Sequence, residues 1–200
     1  MLVASGPSLT REDVAYCRER ARVLVVNDAW QYAPWADALY ACDAKWWNHH
    51  QGVPQFQGQR WTAVSMPGGK LPMNEILASE QTAARWDLQW VRGDYRLGLS
   101  LDRGLIHFGG NSGFQALNLA VLFGARRILL LGYDMKAKGG RTHFFGEHPD
   151  LLRADHDYQS WQDHFRAAVP DLERGKVEVI NCSRETALDC FPRAELRSVL

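Results

Sequence analysis

Two unbroken apolar stretches, Val23 to Val26 and Ile128 to Leu131, restrict the fold more than any other feature of the chain. Neither alternates with polar residues, so neither can lie with one face in water. A short run of this kind bounded by turn residues is the pattern of a parallel strand covered on both faces. Each run stops at polar or turn residues, Asn27-Asp28 after the first and Gly132-Tyr133-Asp134 after the second. Leu2-Val3-Ala4 is a third, shorter run, halted by Gly6-Pro7, after which Thr10 can cap a helix with Glu12 and Asp13 in its first turn. A further strand is expected at Ala38 to Cys42, closed by Asp43 and followed by a tryptophan-rich helix over Ala44 to His49.

Alternation of such strands with helices predicts an α/β fold. We expect a single Rossmann-like domain over residues 1–200, with a mostly parallel, doubly wound sheet and helices on both faces. Two hundred residues, 46% of them hydrophobic, are enough for one sizeable core. The segment from Gln51 to Gly104 is punctuated by Gly52, Pro54, Gly58, Pro67, Gly68, Gly69 and Pro72, which predicts an irregular insertion or lid at about 51–104. Within it Trp61 to Met66 is a candidate strand and Asn74 to Trp86 a candidate helix with Asn74 as cap. Asp87 to Ser100 fits edge strand or loop. Farther on, Gly109, Gly110 and Gly113 with the capping residues Asn111 and Ser112 precede an apolar helix over Phe114 to Phe123. A basic loop from Lys136 to Pro149, a helix from about Leu151 to Ala168 and a strand at Val177 to Ile180 complete the pattern.

The composition excludes several functions. Acidic and basic residues number 23 each, so no global field draws the chain to nucleic acid or an anionic membrane. The Phe114 to Phe123 stretch, broken by Gln115 and Asn118, falls short of the roughly 20 residues a membrane span needs. Cys17, Cys42, Cys182 and Cys190 form no Cys-x-x-Cys pair, and Met1-Leu2-Val3 leads into a strand rather than a signal core; both point to a reduced, cytoplasmic setting.

In a doubly wound sheet, ligands sit beyond the carboxyl ends of the strands. The polar residues of this chain fall there. The turn Ser5-Gly6-Pro7-Ser8 and the helix start Asn111-Ser112-Gly113 could cradle phosphate with backbone N–H groups and a helix dipole. Asn27, Asp28 and Asp43 could contact a ribose or base, and Asp43 or Asp134 could hold magnesium. Lys136, with Lys138 and Arg141, could neutralise phosphate, or could simply be solvated surface. His143 and His148 are the general acid or base candidates, being imidazoles in a loop that follows a rim strand. Asp155, His156 and Asp157 match no standard ligand spacing, and no resident metal site is assigned.

The ordered set Ser5-Gly6-Pro7-Ser8-Leu9, Val26-Asn27-Asp28, Asn111-Ser112-Gly113 and Leu131-Gly132-Tyr133-Asp134 resembles two related groups. One is the bacterial sialyltransferase family of the Campylobacter type (family 42). The other is the 6-hydroxymethylpterin diphosphokinase (MptE-like) group found in bacteria and phages. The first resemblance implies a nucleotide-sugar donor of the CMP type, bound by Ser5, Gly6, Asn27, Ser112 and Gly113. Asp43 stands at the place of a nucleotide-contacting Asn, and Lys136 and Thr142 at the places of phosphate-contacting tyrosines. His143 or His148 would be the catalytic histidine. The second implies ATP, Mg2+ and pyrophosphate transfer, with Asp43 and Asp134 as metal candidates. Three functions follow as expectations: transfer of a group, foremost a sugar, from a nucleotide-activated donor to an acceptor hydroxyl; ATP-dependent diphosphokinase chemistry; or nucleotide binding without catalysis in an accessory protein. The expected partners are a small-molecule donor and an acceptor of unknown structure, with homo-oligomerisation left open.

Overall fold

In a computed structural model that describes residues 1–65, 77–152 and 156–200, Leu2–Val3 (β1) starts a sheet that the next five strands extend in one direction. These are Leu24–Val26 (β2), Ala38–Tyr40 (β3), Gln59–Ser65 (β4), Gln89–Asp94 (β5) and Leu105–His107 (β6). The chain then returns across the sheet and adds Arg127–Leu131 (β7) and Glu178–Asn181 (β8) on the other side of β1. Among the described residues the eight strands form one sheet in the order β6, β5, β4, β3, β2, β1, β7, β8, and every neighbouring pair is parallel. Leu2 is in register with Leu24 on one side and Leu130 on the other. The direction of winding reverses at β1 and β7, the point at whose carboxyl end ligands sit in sheets of this kind.

The helices are Arg11–Cys17 (α1), Ala44–His49 (α2), Glu80–Trp86 (α3), Ser112–Leu122 (α4), Tyr158–Arg174 (α5) and Leu196–Val199 (α6). Because successive strand side chains point to opposite faces, Leu2, Leu24, Val26 and Leu130 pack in one layer with α4 and α5. Val3, Val25, Leu129 and Leu131 pack in the other with α1, α2, α3 and α6. The expected doubly wound α/β sheet is therefore present. Leu2, Val3, Val25 and Leu130 are each 1% exposed or less, and burying each such side chain contributes roughly 1.5–3 kcal/mol.

The two polar residues that interrupt the apolar stretch of α4 have buried partners. Asn118 Oδ1 accepts the Ser100 and His107 N–H groups (3.0 and 2.9 Å) and its Nδ2 donates to Ser100 O (2.9 Å). Gln115 accepts the Tyr40 hydroxyl. Together they anchor the returning helix to β3 and to the β6 edge.

Three local expectations need correction. The described strands of the 51–104 segment, β4 and β5, lie inside the sheet with both neighbours paired and so are no insertion; Gly52, Pro54 and Gly58 mark the loop before β4. Asn74, and the Pro67, Gly68, Gly69 and Pro72 punctuation, lie outside the described residues. α3 starts later than expected, at Glu80, where Ser79 Oγ accepts the Thr82 N–H (3.2 Å). α5 is shifted likewise: Asp157 caps it, and it runs through Pro170 to Arg174 because Phe165, Ala168 and Leu172 are buried along one face.

Candidate functional site

The β1 turn is locked to the end of β7. Ala4 N–H donates to Leu131 O (2.8 Å) and Gly6 N–H to Gly132 O (2.9 Å). A Cβ on Gly6 would collide with Gly132 O and the Asp134 carboxylate. Asp134 in turn accepts Ser8 N–H (2.7 Å) through Oδ2 and Ser8 Oγ–H (2.9 Å) through Oδ1. Burial pushes its carboxyl pKa up, although both Ser8 bonds oppose that. Asp134 thus has both oxygens engaged in ordering the Gly6-Pro7-Ser8 turn, the role an Asp after a strand commonly takes.

The second glycine-rich turn meets the same strand end. Tyr133 Oη donates to Gly113 O (3.1 Å), and Asn111 caps α4 by accepting Phe114 N–H (2.8 Å). Ser112 Oγ lies 3.1 Å from Cys42 Sγ, which brings the end of β3 against the start of α4. Residues 132–134 therefore hold the Gly6 turn and the Gly113 helix start on one rim. Asp43 sits beside them at the N-cap of α2, where its side chain makes no capping bond; the Cys42 thiol is 3.5 Å away. Burial pushes the Asp43 carboxyl pKa up.

At the end of β2 the backbone of Asn27 is left-handed (φ 48°), and its buried Oδ1 has no hydrogen-bond partner among the described residues. Asp28 faces inward. It accepts Trp46 Nε1–H (2.9 Å) and Gln31 Nε2–H (3.1 Å), with His50 Nε2 at 3.2 Å and His148 Nδ1 at 3.9 Å. Burial alone would raise its pKa, but His50 and Trp46 outweigh burial and hold the carboxyl below its ordinary range. Asp28 is thus the hub of a buried cluster, where the sequence suggested an open ligand contact.

The loop after β7 folds back over the β1 turn. Phe144 N–H donates to Ser5 O (3.0 Å), the Phe144 ring packs on Tyr32 at 4.1 Å, and His143 Nδ1 is 3.1 Å from Ser5 Oγ. The His143 ring stacks on Phe145 and meets the edge of His148 at 4.6 Å, so both candidate histidines share one cluster with Ser5 and Asp28. Burial, then the neighbouring His148 and His156, push the His143 pKa down to about 4; burial also lowers that of His148, with Asp28 opposing. Lys136 and Lys138 both reach Glu185 (3.5 and 2.5 Å), so the Lys136 charge is already partnered. Asp155 lies outside the described residues.

His143 gives a pH signature. Its folded pKa of about 4 lies below the usual 6.5, so the unfolded chain binds the proton more tightly. Stability is then full above about pH 6.5 and falls as pH drops towards about 4, by on the order of 3 kcal/mol. Urea midpoints measured across that window should flatten in His143→Gln. The contribution of Asp28, whose pKa is also depressed, is lost only at lower pH.

Apart from His50 Nε2, which has the Asp28 carboxylate at 3.2 Å, six buried side-chain atoms lack a hydrogen-bond partner among the described residues. Thr62 Oγ1 lies within β4. The other five, Asn27 Oδ1, Trp30 Nε1, His143 Nε2, Tyr158 Oη and His164 Nδ1, belong to segments at or next to the carboxyl rim. An unmet buried polar atom costs about 1–3 kcal/mol, so such a concentration marks a place where a polar ligand restores lost bonds. By sequence His50 and His164 read as structural, and nothing singles out Trp30. Only the 158, 161, 165 spacing on α5 signals that Tyr158 faces inward. Two grooves of about 530 and 450 Å³ lie at the opposite, amino ends of the strands, the first lined by Arg18, Arg22, Trp35 and Asp37 and the second by Leu24, Phe123 and Ile128. None of the candidate residues lines them.

No family model matches the chain, and no curated protein matches it. Among solved structures, "MAf glycosyltransferase from Magnetospirillum magneticum AMB-1" superimposes with a TM-score of 0.59 at 14% sequence identity. The match covers 100% of this chain and 34% of that one, so the chain spans about a third of that protein's length. Its parallel α/β sheet with helices on both faces is thus a Rossmann-like fold of the kind found in that glycosyltransferase.

Proposed function

We propose that the protein is a glycosyltransferase-like enzyme that moves a sugar from a nucleotide-activated donor to an acceptor hydroxyl. The observation that carries this reading is the concentration of unmet buried polar atoms around two glycine-rich turns at the strand-order reversal. The α4 start would hold phosphate, with its dipole and the Ser112 hydroxyl facing it, beside the Ser5-Gly6 turn. Asn27 Oδ1 would accept a hydrogen bond from the ribose or base. With Ser5 Oγ–H donating to His143 Nδ1, the ring hydrogen sits on His143 Nε2, and this neutral imidazole would donate to the leaving phosphate. His148 would remove the acceptor proton; Asp28, behind its Nδ1, would stabilise the imidazolium that forms. Likeness to the sialyltransferase family supports a cytidine nucleotide as donor base.

Magnesium fits this rim poorly. Both Asp134 oxygens are taken by Ser8, and Asp28 is committed to Trp46 and Gln31, which leaves Asp43 without a second open carboxylate among the candidates. This arrangement favours the sugar-transfer reading over the diphosphokinase one, and no step is derived through a metal. Four free cysteines are consistent with the reduced setting expected from the sequence; among the described residues no helix is long and apolar enough to cross a membrane.

Thermal melting with CMP, UDP, GDP and ATP tests the reading. A nucleotide at about 100 times its Kd should add about 2.7 kcal/mol of stability, without added magnesium. No shift with any of the four refutes it.

A further inference from the structure

The first two turns of α5 meet the rim from the side opposite Asp28. Asp157 fixes the helix start by accepting Ser160 N–H (3.0 Å), and Gln162 Nε2–H donates to Met135 O (3.3 Å), tying the helix to the residue after Asp134. The face so positioned carries Tyr158, Trp161 and His164. Trp161 packs on the turn before α4: a Cβ on Gly110, whose φ is 74°, would lie 3.1 Å from Trp161 Cδ1. Tyr158 meets Trp161 edge to face at 5.4 Å, while the His164 ring approaches Phe114 in the first turn of α4 at 6.0 Å. Tyr158 Oη and His164 Nδ1 are both buried without a hydrogen-bond partner among the described residues.

This combination of aromatic surface with isolated polar atoms matches a ring that has an apolar C–H face and a hydroxyl edge. The local charge selects further. Among the described residues, the charges that act on the Tyr158 hydroxyl are the carboxylates Glu147 and Asp134, while Lys136 and Lys138 are held by Glu185. A carboxylated sugar would meet repulsion there.

We propose that the α5 face formed by Tyr158, Trp161 and His164, opposite the Gly109-Gly110 turn, is a subsite for an uncharged pyranose ring. The inference rests on the glycosyltransferase reading and narrows its substrate to neutral or N-acetylated sugars, in place of the acidic sugar that the sialyltransferase likeness implies. The ring belongs either to the donor or to the acceptor.

Saturation-transfer NMR on the whole protein, with methyl glucopyranoside, methyl N-acetylglucosaminide and methyl glucuronide as probes and glycerol as control, tests it. The two neutral glycosides should give ring-proton signals about fivefold stronger than the glucuronide, and Trp161→Leu should reduce them by a similar factor. Tyr158→Phe, which removes one oxygen atom, keeps the test available if Trp161→Leu fails to fold; it should reduce the signals about threefold. Signals of equal strength in the wild type and in the folded variants, or preference for the glucuronide, overturn the proposal. A nucleotide sugar that displaces the glycoside where its bare nucleotide does not assigns the ring to the donor, and retention of the glycoside assigns it to the acceptor. Parallel melts with nucleotides separate the two claims: glycoside binding without any nucleotide shift refutes the transferase reading alone, and a nucleotide shift with variant-independent glycoside signals refutes the subsite alone.

Discussion

Gly6→Ala is expected to cost at least about 3 kcal/mol of folding stability and to abolish nucleotide-induced stabilisation. The added methyl group would meet Gly132 O and the Asp134 carboxylate, and neither can move freely. Gly132 O accepts Gly6 N–H in the clamp between β1 and β7, and Asp134 is fixed by its two bonds to Ser8. Relief would require parting the two central strands where the winding reverses. Gly124→Ala is the control. Gly124 has a positive φ of 87°, but a methyl group there would have nothing within 4 Å, so alanine meets only backbone strain, about 1 kcal/mol. Urea midpoints of the two variants give the comparison; equal losses would show that crowding at the rim is not what demands a glycine at position 6.

The second large effect is on turnover. With a nucleotide sugar that stabilises the wild type, His148→Ala should lower the transfer rate by about a hundredfold to ten-thousandfold, the usual contribution of a positioned base. The nucleotide shift should persist, since His148 faces Asp28 and His143 rather than the glycine turns. His143→Ala should lose both rate and part of the shift, because its Nε2 is assigned to the phosphate while its Nδ1 contacts Ser5. Full activity in the double variant His143→Ala, His148→Ala would favour the reading of a nucleotide-binding protein without catalysis. Asp28→Asn should slow turnover less than His148→Ala does, as it keeps the shape and removes only the charge behind the imidazole.

Much of the architecture was legible before any tertiary information. Val23 to Val26 and Ile128 to Leu131 have the pattern of strands buried on both faces, as in a parallel sheet, and the turn residues that end each run mark its carboxyl end. The boundaries of α3 and α5 were not legible, because several capping residues compete in each segment and the burial of Phe165 and Leu172 decides where α5 runs. Nor was the place of residues 59–65 and 89–94: Gly52, Pro54 and Gly58 report the loop before β4, whereas pairing on both sides makes β4 and β5 interior strands.

Candidate site residues were legible by position and opaque by role. Ser5, Gly6, Asn27, Asp43, Ser112 and Gly113 stand at strand ends or a helix start, which chain order alone reveals. Only the fold decided that Asp134 spends both oxygens on Ser8, that Asp28 turns inward to Trp46, and that Glu185, about 50 residues away in sequence, holds Lys136. Local sequence determines backbone preference and which faces must leave water. Which donor meets which acceptor is settled by contacts between residues such as Ser8 and Asp134, 126 positions apart, and these exist only once the sheet has brought its strand ends together.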